Sequence, residues 1–362
     1  MKKFALYLPQ FHEIPENNEW WGNGFTEWTN VKKAVPLYKG HKQPKEPYGD
    51  NYYCLDHKET LEWQAKLANS YGIDGMVFYH YYFCGKLLLE KPAELLLAKA
   101  SIPMSFFFCW ANHSWYRSWE GSKTVLVEQS YGDINDWEKH FMYLLPFFQD
   151  KRYEKKDNKP VFMIFKPFFE EKTEMLHYFN QKCIEAGFDG IYIMETCTDY
   201  ETSSMQKLNK EEVEYAKVLY IREPDAALSE YKKTLHFFFF RLFSKIFRVL
   251  KTRNHAPIQR IHGDWIYKMM LKKNAYKGTV RGAFLEWDNT PRHATRGFVI
   301  KPVSKKRFFA YLDARKKDDY LIFNAWNEWC EGMMLEPTKE NGAQYLSWIK
   351  EWSVHEDRID GV

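Results

Sequence analysis

The sequence predicts an α/β fold, a single-domain TIM-type (β/α)8 barrel formed by residues 1–362. Eight apolar runs recur along the chain, and each is followed by a turn and then by a segment of helical pattern. The runs are nearly continuous rather than alternating, as expected of parallel strands buried on both faces. In chain order they are FALYLP (Phe4–Pro9), GMVFYHY (Gly75–Tyr81), IPMSFFFCWA (Ile102–Ala111), VFMIFK (Val161–Lys166), GIYIMET (Gly190–Thr196), AKVLYI (Ala216–Ile221), VRGAFLEWD (Val280–Asp288) and YLIFNAW (Tyr320–Trp326).

Helix candidates occupy the stretches between the runs. The segments KETLEWQAKLANSYG (58–72) and EMLHYFNQKCIEAG (174–187) both end at glycine, a frequent helix stop. A third candidate is DINDWEKHFMYLLPFFQD (133–150). We find no internal repeat, low-complexity tract or linker that would divide the chain.

The composition is that of a globular protein without a strongly charged partner. Hydrophobic residues make up 45% of the chain and charged residues 28%, with a net charge of only +4, so a nucleic-acid partner is not indicated. Aromatic residues reach 18%, with 14 Trp. This predicts that many of them line a groove, although packing in the core is the alternative for most.

The six cysteines show neither a CxxC motif nor a Cys/His metal spacing, and we interpret them as reduced thiols. The N-terminus MKKFALYLPQFHEIP is apolar over too short a stretch to resemble a signal peptide. No segment reaches the ~18 apolar residues that a membrane span needs. We therefore expect a cytoplasmic protein, and we expect neither a metal ion nor another cofactor.

The run YLIFNAWNEWCEGMMLEP near the C-terminus carries the strongest chemical signal. Glu328 and Glu331 leave the end of one strand beside Trp326 and Trp329. Paired carboxylates suit glycosidic bond chemistry, in which one group moves a proton at the bridging oxygen and another acts at the cationic sugar carbon. Indole faces suit the apolar face of a sugar ring. The alternative is that both glutamates are solvated loop acids and both tryptophans fill the core.

Active sites of TIM barrels form at the C-terminal ends of the strands, so the residues at those ends are candidates for substrate binding. A single such residue often makes only a structural hydrogen bond, but their convergence on one face would suit a polyhydroxylated ligand. They are Tyr79, His80 and Tyr81 on strand two; Trp110, Asn112 and His113 on strand three; Glu195 on strand five; Glu286, Trp287, Asp288 and Asn289 on strand seven; and Asn327 with the two glutamates on strand eight.

Six segments together resemble the WbsX family, which is similar to glycoside hydrolase family 99 and is commonly encoded with bacterial O-antigen and capsule genes. The resemblance covers nearly the whole chain. The segments are LPQFHEIPENNEWWGNGFTEWTNV (Leu8–Val31), GHKQPKEPYGDNYYCLD (Gly40–Asp56), FYHYYFCGKLLLEKP (Phe78–Pro92), CWANHSW (Cys109–Trp115), WDNTPR (Trp287–Arg292) and NAWNEWCEG (Asn324–Gly332).

The resemblance implies roles for the two glutamates. In family 99 an EWxE motif supplies one acid that deprotonates the sugar 2-hydroxyl, so that this oxygen attacks the anomeric carbon, and one that protonates the leaving oxygen. Here the motif implies that Glu328 is the base and Glu331 the acid. The shared motifs also add Glu27, Trp28, Arg292 and Trp329 to the candidate substrate-binding residues.

The chain departs from the family pattern at one position. Members often read WANE where this chain has Trp110, Ala111, Asn112 and His113, so that a histidine replaces an acid. A cationic or a neutral imidazole would each fit there. The change bears on the identity of the substrate, for example an acidic sugar, more than on the type of reaction.

A basic amphipathic segment around residues 235–253 follows the sixth run. On a helix, Phe239, Leu242, Phe243, Ile246 and Leu250 share one face, whereas Arg241, Lys245 and Arg248 share the other. Such a helix is typical of peripheral contact with a membrane surface, here the inner membrane. The alternatives are an ordinary barrel helix and a dimer contact.

These observations favour a carbohydrate-active enzyme, glycoside hydrolase-like and retaining, that acts on a bacterial surface polysaccharide or its lipid-linked oligosaccharide precursor. A nucleotide-sugar-dependent glycosyltransferase of lipopolysaccharide or capsule synthesis is the first alternative, although no Gly-rich phosphate loop is evident. A non-catalytic glycan-binding protein is the second. A metal-dependent hydrolase is weaker, because His80, His113 and Asp288 lack a recognisable ligand spacing.

Overall fold

The computed structural model describes residues 1–117, 124–200, 215–249, 258–273 and 279–359. Within them, eight parallel strands close into a barrel, as the sequence predicts. Each strand pairs with its neighbours along the chain, and β1 pairs with both β2 and β8 to complete the circle. The strands are β1 Lys2–Tyr7, β2 Gly75–Phe83, β3 Ser105–Trp110, β4 Lys159–Ile164, β5 Tyr192–Cys197, β6 Ala216–Ile221, β7 Thr279–Ala283 and β8 Tyr320–Phe323.

Helices surround the barrel and occupy its loops. The three helix candidates of the sequence are confirmed, and the glycines that follow the first and the last of them, Gly72 and Gly187, take φ angles of 77° and 90°, which favour glycine. The described α-helices are Pro15–Trp21, Glu27–Lys33, Lys58–Ser70, Lys91–Ala98, Ile134–Gln149, Lys172–Glu185, Asp225–Tyr231, Leu235–Val249, Gly263–Lys272, Thr290–His293, Lys305–Arg315 and Gln344–Ile359.

Short strands at the barrel's edges shape the loops that follow the barrel strands. Lys86–Leu88 pairs with the end of β2, and Lys155–Lys156 pairs with β4. Three further sheets are small: Gln259–His262 with Phe298–Lys301 and Trp287–Asp288, Trp115–Tyr116 with Val125–Val127, and Asn327–Glu328 with Met333–Met334.

The core lies inside the barrel and between the barrel and its helices. Aromatic rings fill much of the layer between strands and helices: Phe162 on β4 is fully buried and lies near the rings of His140, Phe148 and Phe179. Most of the unusual aromatic content of the chain is therefore core packing rather than the lining of a groove.

The segment predicted around residues 235–253 is helical over Leu235–Val249, and residues 250–253 lie outside the described ranges. None of the helices in the described ranges is long and apolar enough to cross a membrane. The six cysteines are unpaired.

Truncation of Phe162 to alanine should lower the free energy of unfolding by about 3–5 kcal/mol, because it empties a buried ring site between barrel and helices. Chemical denaturation measures this. The matched control is Phe238→Ala on a ring that is 61% exposed, for which we expect a change within about 0.5 kcal/mol. Equal losses in the two variants would contradict the packing described here.

Candidate active site

A hairpin formed by residues 327–334 follows β8 at the C-terminal mouth of the barrel. Glu328 ends its first strand, and Glu331 lies in the 3-10 turn that joins the two strands. Gly332 closes the turn at φ 59°, in the left-handed region. A Cβ at this position would lie 3.1 Å from the Cβ of Asp288, so glycine also permits the hairpin to pack closely against the end of β7.

Two asparagines fasten neighbouring strand ends to each other. The side-chain amide of Asn327 accepts a hydrogen bond from the backbone N–H of Leu8 at 2.8 Å and donates one to its carbonyl oxygen at 3.0 Å. Asn112 makes the same pair of bonds with the backbone of Lys166, at 2.7 Å and 2.8 Å. Both amides thereby hold the barrel mouth in a fixed shape.

Glu336 anchors the hairpin from behind. Its buried carboxyl group accepts hydrogen bonds from the indole N–H of Trp329 at 2.7 Å, from the hydroxyl of Tyr53 at 2.9 Å and from the amide of Gln64 at 2.7 Å. Burial raises the pKa of Glu336 to about 7, and the three donors act in the opposite direction. Trp329, which the sequence suggested as a sugar contact, instead fixes the turn between the two site glutamates.

The hairpin borders a pocket of about 430 Å3 at the barrel mouth. Its walls combine aromatic rings with carboxylates and two arginines, a mixture that suits a ligand with both apolar faces and hydroxyl groups. The lining residues are Leu8, Gln10, Asn17, Trp21, Glu27, Tyr79, Tyr81, Ala111, His113, Ser114, Trp115, Tyr116, Leu126, Phe165, Arg222, Arg292, Glu328 and Glu331.

One guanidinium group links three carboxylates in this pocket. Arg292 donates from Nη2 to Glu328 at 2.8 Å and to Glu27 at 3.1 Å, and from Nη1 to Glu331 at 2.5 Å. The other carboxylate oxygen of Glu331 accepts a hydrogen bond from the indole N–H of Trp287 at 3.1 Å. The two glutamates of the hairpin are therefore held by the same cation.

The loop after β7 fixes the position of Arg292. Asp288 accepts hydrogen bonds from the backbone N–H and the hydroxyl of the first residue of the short helix Thr290–His293, at 3.0 Å and 2.6 Å. The side-chain oxygen of Asn289 accepts one from the backbone N–H of Phe298 at 2.7 Å. Both residues thus act on the turn that carries Arg292, and neither borders the pocket.

The electrostatics of the site centre on Glu328. Burial raises its pKa to about 7; the positive charge of Arg292 opposes this rise, whereas the charges of Glu331 and Glu27 add to it. Near pH 7 this carboxyl group is therefore divided between its protonated and its ionised form. The same carboxylates raise the pKa of Arg292, against the effect of its burial, so the guanidinium stays charged.

Successive side chains of β2 point to opposite sides of the sheet. Tyr79 and Tyr81 consequently border the pocket, and burial raises the pKa of both phenols. His80 lies on the other side, where its Nε2 is 2.9 Å from Nε2 of His140 on the surrounding helix layer. The sequence suggested His80 as a substrate-binding residue, but in the structure it does not border the pocket.

His113 borders the pocket as a neutral imidazole. Burial, together with the nearby positive charges of Lys166 and Arg222, lowers its pKa to about 4. Arg222 itself borders the pocket, where it pairs with Asp225 at 2.8 Å and lies over the ring of Phe165 at 5.2 Å. The positive charge at this part of the pocket therefore comes from Arg222 and not from a protonated His113.

The residues that the sequence suggested for the site differ in where they lie relative to the pocket. Seven border the pocket: Glu27, Tyr79, Tyr81, His113, Arg292, Glu328 and Glu331. Trp287 contacts Glu331, and six others brace the surrounding backbone or hairpin: Trp28, Asn112, Asp288, Asn289, Asn327 and Trp329. His80, Trp110 and Glu195 lie outside the pocket; the indole of Trp110 donates to the carbonyl of Tyr82, and Glu195 is 3.2 Å from the ammonium of Lys172.

The sequence analysis did not predict several of the residues that line the pocket. Arg222 directly follows the sixth apolar run, so the same strand-end rule would have reached it. Asn17, Trp21 and Trp115 lie within the segments that carry the family resemblance, but their spacing gives no sign that they face the pocket. Within the described residues, no group of three or more His, Cys, Asp or Glu side chains is placed to hold a metal ion.

The chain belongs to the family described as Glycosyltransferase WbsX, whose family model matches residues 3–349. The description of this family names a class of carbohydrate-active enzyme, the glycosyltransferases.

Two curated relatives come from Xanthomonas campestris pv. campestris and carry the name "Uncharacterized protein WxcX". The one from strain B100 is 28% identical over 353 residues, and the other is 29% identical over 355 residues. The alignments cover 94% of this chain but 48% of each relative. The chain thus spans about half the length of these relatives.

Solved structures support the fold. The GH99 endo-α-mannosidase from Bacteroides thetaiotaomicron aligns with a TM-score of 0.55 at 11% identity, over 99% of this chain and 98% of that one. A protein described as glycoside hydrolase-like aligns with a TM-score of 0.57 at 12% identity, over 97% of this chain and 93% of that one. At such identities the likeness shows that the barrel architecture is shared.

Replacement of Arg292 by methionine should destabilise the fold by about 3 kcal/mol at pH 8, because it leaves three acids at the pocket without their shared cation. The loss should be smaller at pH 5. The pKa of Glu328 is raised from 4.5 to about 7, so its ionisation costs stability as the pH rises through that interval, and without Arg292 this cost grows.

Urea denaturation of the wild type and the variant at pH 5 and pH 8 measures this difference. The control is Arg307→Met, since no acidic partner of Arg307 is found among the described residues. A loss of the same size at both pH values would show that Arg292 acts through packing rather than through charge.

Proposed function

We propose that this chain cleaves or transfers glycosidic bonds of a bacterial surface polysaccharide, or of its lipid-linked precursor, with Glu328 and Glu331 at the reaction centre. The observation that carries the proposal is the pair itself: both carboxyl groups lie on one hairpin at the barrel mouth, border one pocket and share Arg292. Paired carboxylates in a sugar-sized pocket are what glycosidic bond chemistry requires.

The walls of the pocket support a carbohydrate ligand. Rings of Trp21, Trp115, Tyr79, Tyr81 and Phe165 offer flat apolar surfaces, on which the CH faces of a sugar can rest. Hydroxyl groups of the same sugar need hydrogen-bonding partners between these rings. The carboxylates, arginines and amides of the lining provide them.

In the proposed reaction, Glu328 removes the proton of the sugar 2-hydroxyl, and the 2-oxygen attacks the anomeric carbon. The bond from that carbon to the leaving oxygen breaks, and the leaving oxygen takes a proton from Glu331. Water, or an acceptor hydroxyl, then opens the 1,2-anhydro ring, gives its proton to Glu331 and returns the 2-oxygen to a hydroxyl with the proton held by Glu328. The configuration at the anomeric carbon is retained, and the substrate needs a free 2-hydroxyl trans to the leaving group.

The electrostatics bear on both roles. A carboxylate whose pKa lies near 7 is a stronger base than an ordinary glutamate, which suits Glu328. Glu331 accepts hydrogen bonds from Arg292 and Trp287. Its role as the acid therefore requires the leaving oxygen of the substrate to compete with these donors.

Transfer from a nucleotide sugar is the second candidate, and the family description favours it. The fold favours hydrolysis or transglycosylation, because nucleotide sugars are generally bound by doubly wound sheets and the described strands form a closed barrel. The same pair of carboxylates serves both outcomes, since only the final acceptor differs.

We place the reaction at the cytoplasmic side of the inner membrane, where precursors of O-antigen and capsule are assembled on lipid. The sequence resemblance to families encoded with such genes supports this location. A lipid-linked substrate lies at the membrane surface, which the exposed apolar helix after β6 could contact.

The pair is tested by incubating the wild type, Glu328→Gln and Glu331→Gln with surface polysaccharide and lipid-linked precursors of the cell that makes the protein, with and without nucleotide sugars. Mass spectrometry follows the products. We expect shorter or rearranged glycans without any nucleotide, and a loss of about 10²–10⁴-fold in both variants. Products that form only with a nucleotide sugar would identify the transferase.

The matched control is Glu19→Gln, an exposed acid on the helix that supplies Asn17 and Trp21 to the pocket, which should keep full activity. A substrate with a good leaving group should rescue Glu331→Gln but not Glu328→Gln, and rescue in the reverse order would exchange the two roles. Glycan binding without turnover, unchanged in both variants, would identify a non-catalytic glycan-binding protein.

A further inference from the structure

The helix Leu235–Val249 exposes an apolar stripe to solvent. The stripe consists of Leu235, Phe238, Phe239, Leu242, Phe243 and Ile246, which are between 46% and 75% exposed. Their spacing of three and four residues places them on one side of the helix. On a helix of a globular protein this is the side that packs against the core, so its exposure calls for a partner.

The other side of the same helix attaches it to the protein. Phe237 is partly buried, with its ring centroid 5.5 Å from that of Tyr231. Ser244 is only 8% exposed. Because the helix is already attached through this side, the apolar stripe is a second surface and not a displaced packing face.

A basic cleft of about 240 Å3 runs along the attached side. Arg241, Lys245 and Arg296 border it, and in the described part of the chain none of them has an acidic partner. The hydroxyl of Ser244 also borders the cleft and is buried without a hydrogen-bond partner among the described residues. Three cations and an unsatisfied hydroxyl suit a phosphate group.

We propose that the helix Leu235–Val249 docks this protein on an anionic lipid bilayer, with the apolar stripe in the interface and a headgroup phosphate in the basic cleft. A helix that lies in the interface has its axis near the level of the headgroups. The cations Arg241 and Lys245, on the side away from the stripe, therefore stay at the level of the lipid phosphates while the stripe meets the acyl chains.

The charges favour a bilayer over a second copy of the chain. Two stripes packed face to face would set two basic helices against each other, since each described helix carries Arg241 and Lys245 and contains no acid, which opposes association. An anionic bilayer compensates these charges and accepts the apolar stripe at the same time. The docking does not depend on which reaction the pocket carries.

Co-sedimentation with vesicles tests the stripe. We expect the wild type to sediment with vesicles of equal parts phosphatidylglycerol and phosphatidylcholine, and at least tenfold less with phosphatidylcholine alone. The double variant Phe239→Glu/Phe243→Glu should lose binding by at least tenfold, because it places two acids in the interface. The matched control Ile184→Glu changes a side chain that is 51% exposed on another helix, and it should bind like the wild type.

A second set of variants tests the cleft. Removal of each cation, in Arg241→Gln, Lys245→Gln and Arg296→Gln, should weaken binding to the mixed vesicles by about fivefold, whereas Lys306→Gln on the helix Lys305–Arg315 should leave it unchanged. Thermal unfolding midpoints within error of the wild type confirm that these exposed substitutions keep the fold.

Three outcomes would overturn the proposal. Equal sedimentation with neutral and mixed vesicles would exclude recognition of anionic headgroups. Equal sedimentation of wild type and the stripe variant would exclude the helix as the docking element. A dimer in analytical ultracentrifugation that Phe243→Glu dissociates, together with no vesicle binding, would show that the stripe contacts a second copy.

Discussion

The site depends on one shared cation. Arg292, which follows β7, donates to Glu27 from the loop after β1 and to Glu328 and Glu331 from the hairpin after β8. Three acids that approach each other without a cation would repel and would be costly to bury. The guanidinium group therefore joins three neighbouring loops at the barrel mouth, and its positive charge also opposes the rise in the pKa of Glu328.

Two buried glutamates of the same hairpin region have raised pKa values, but their surroundings differ. Glu336 is enclosed by three neutral donors, the indole of Trp329, the hydroxyl of Tyr53 and the amide of Gln64, and does not border the site pocket. Its role is to hold the turn. Glu328 borders the pocket and faces a cation and two acids, so its charge can respond to a ligand.

The small three-stranded sheet connects the helix Leu235–Val249, which we propose as the docking helix, to the site. Gln259–His262, in the segment between the docking helix and β7, pairs with Phe298–Lys301, which in turn pairs with Trp287–Asp288. Gln259, on one edge strand of this sheet, borders the basic cleft, and Trp287, on the other edge strand, contacts Glu331. If the proposed docking occurs, this sheet would thus join the bilayer-bound helix to Trp287, which contacts Glu331.

The sequence by itself determined the barrel and its eight strands, and it singled out the two glutamates that we propose as the reacting pair. Buried parallel strands and amphipathic helices leave a periodic pattern, and the EWxE motif is contiguous in the chain. Only the tertiary structure decided which strand-end side chains border the pocket. A shift of one residue along a strand turns a side chain to the other face, which is why Tyr79 and Tyr81 line the pocket and His80 does not. No local pattern encodes contacts between segments that are far apart in the sequence. The tertiary structure therefore also decided that Arg292 contacts three acids from other segments and that the apolar helix is exposed.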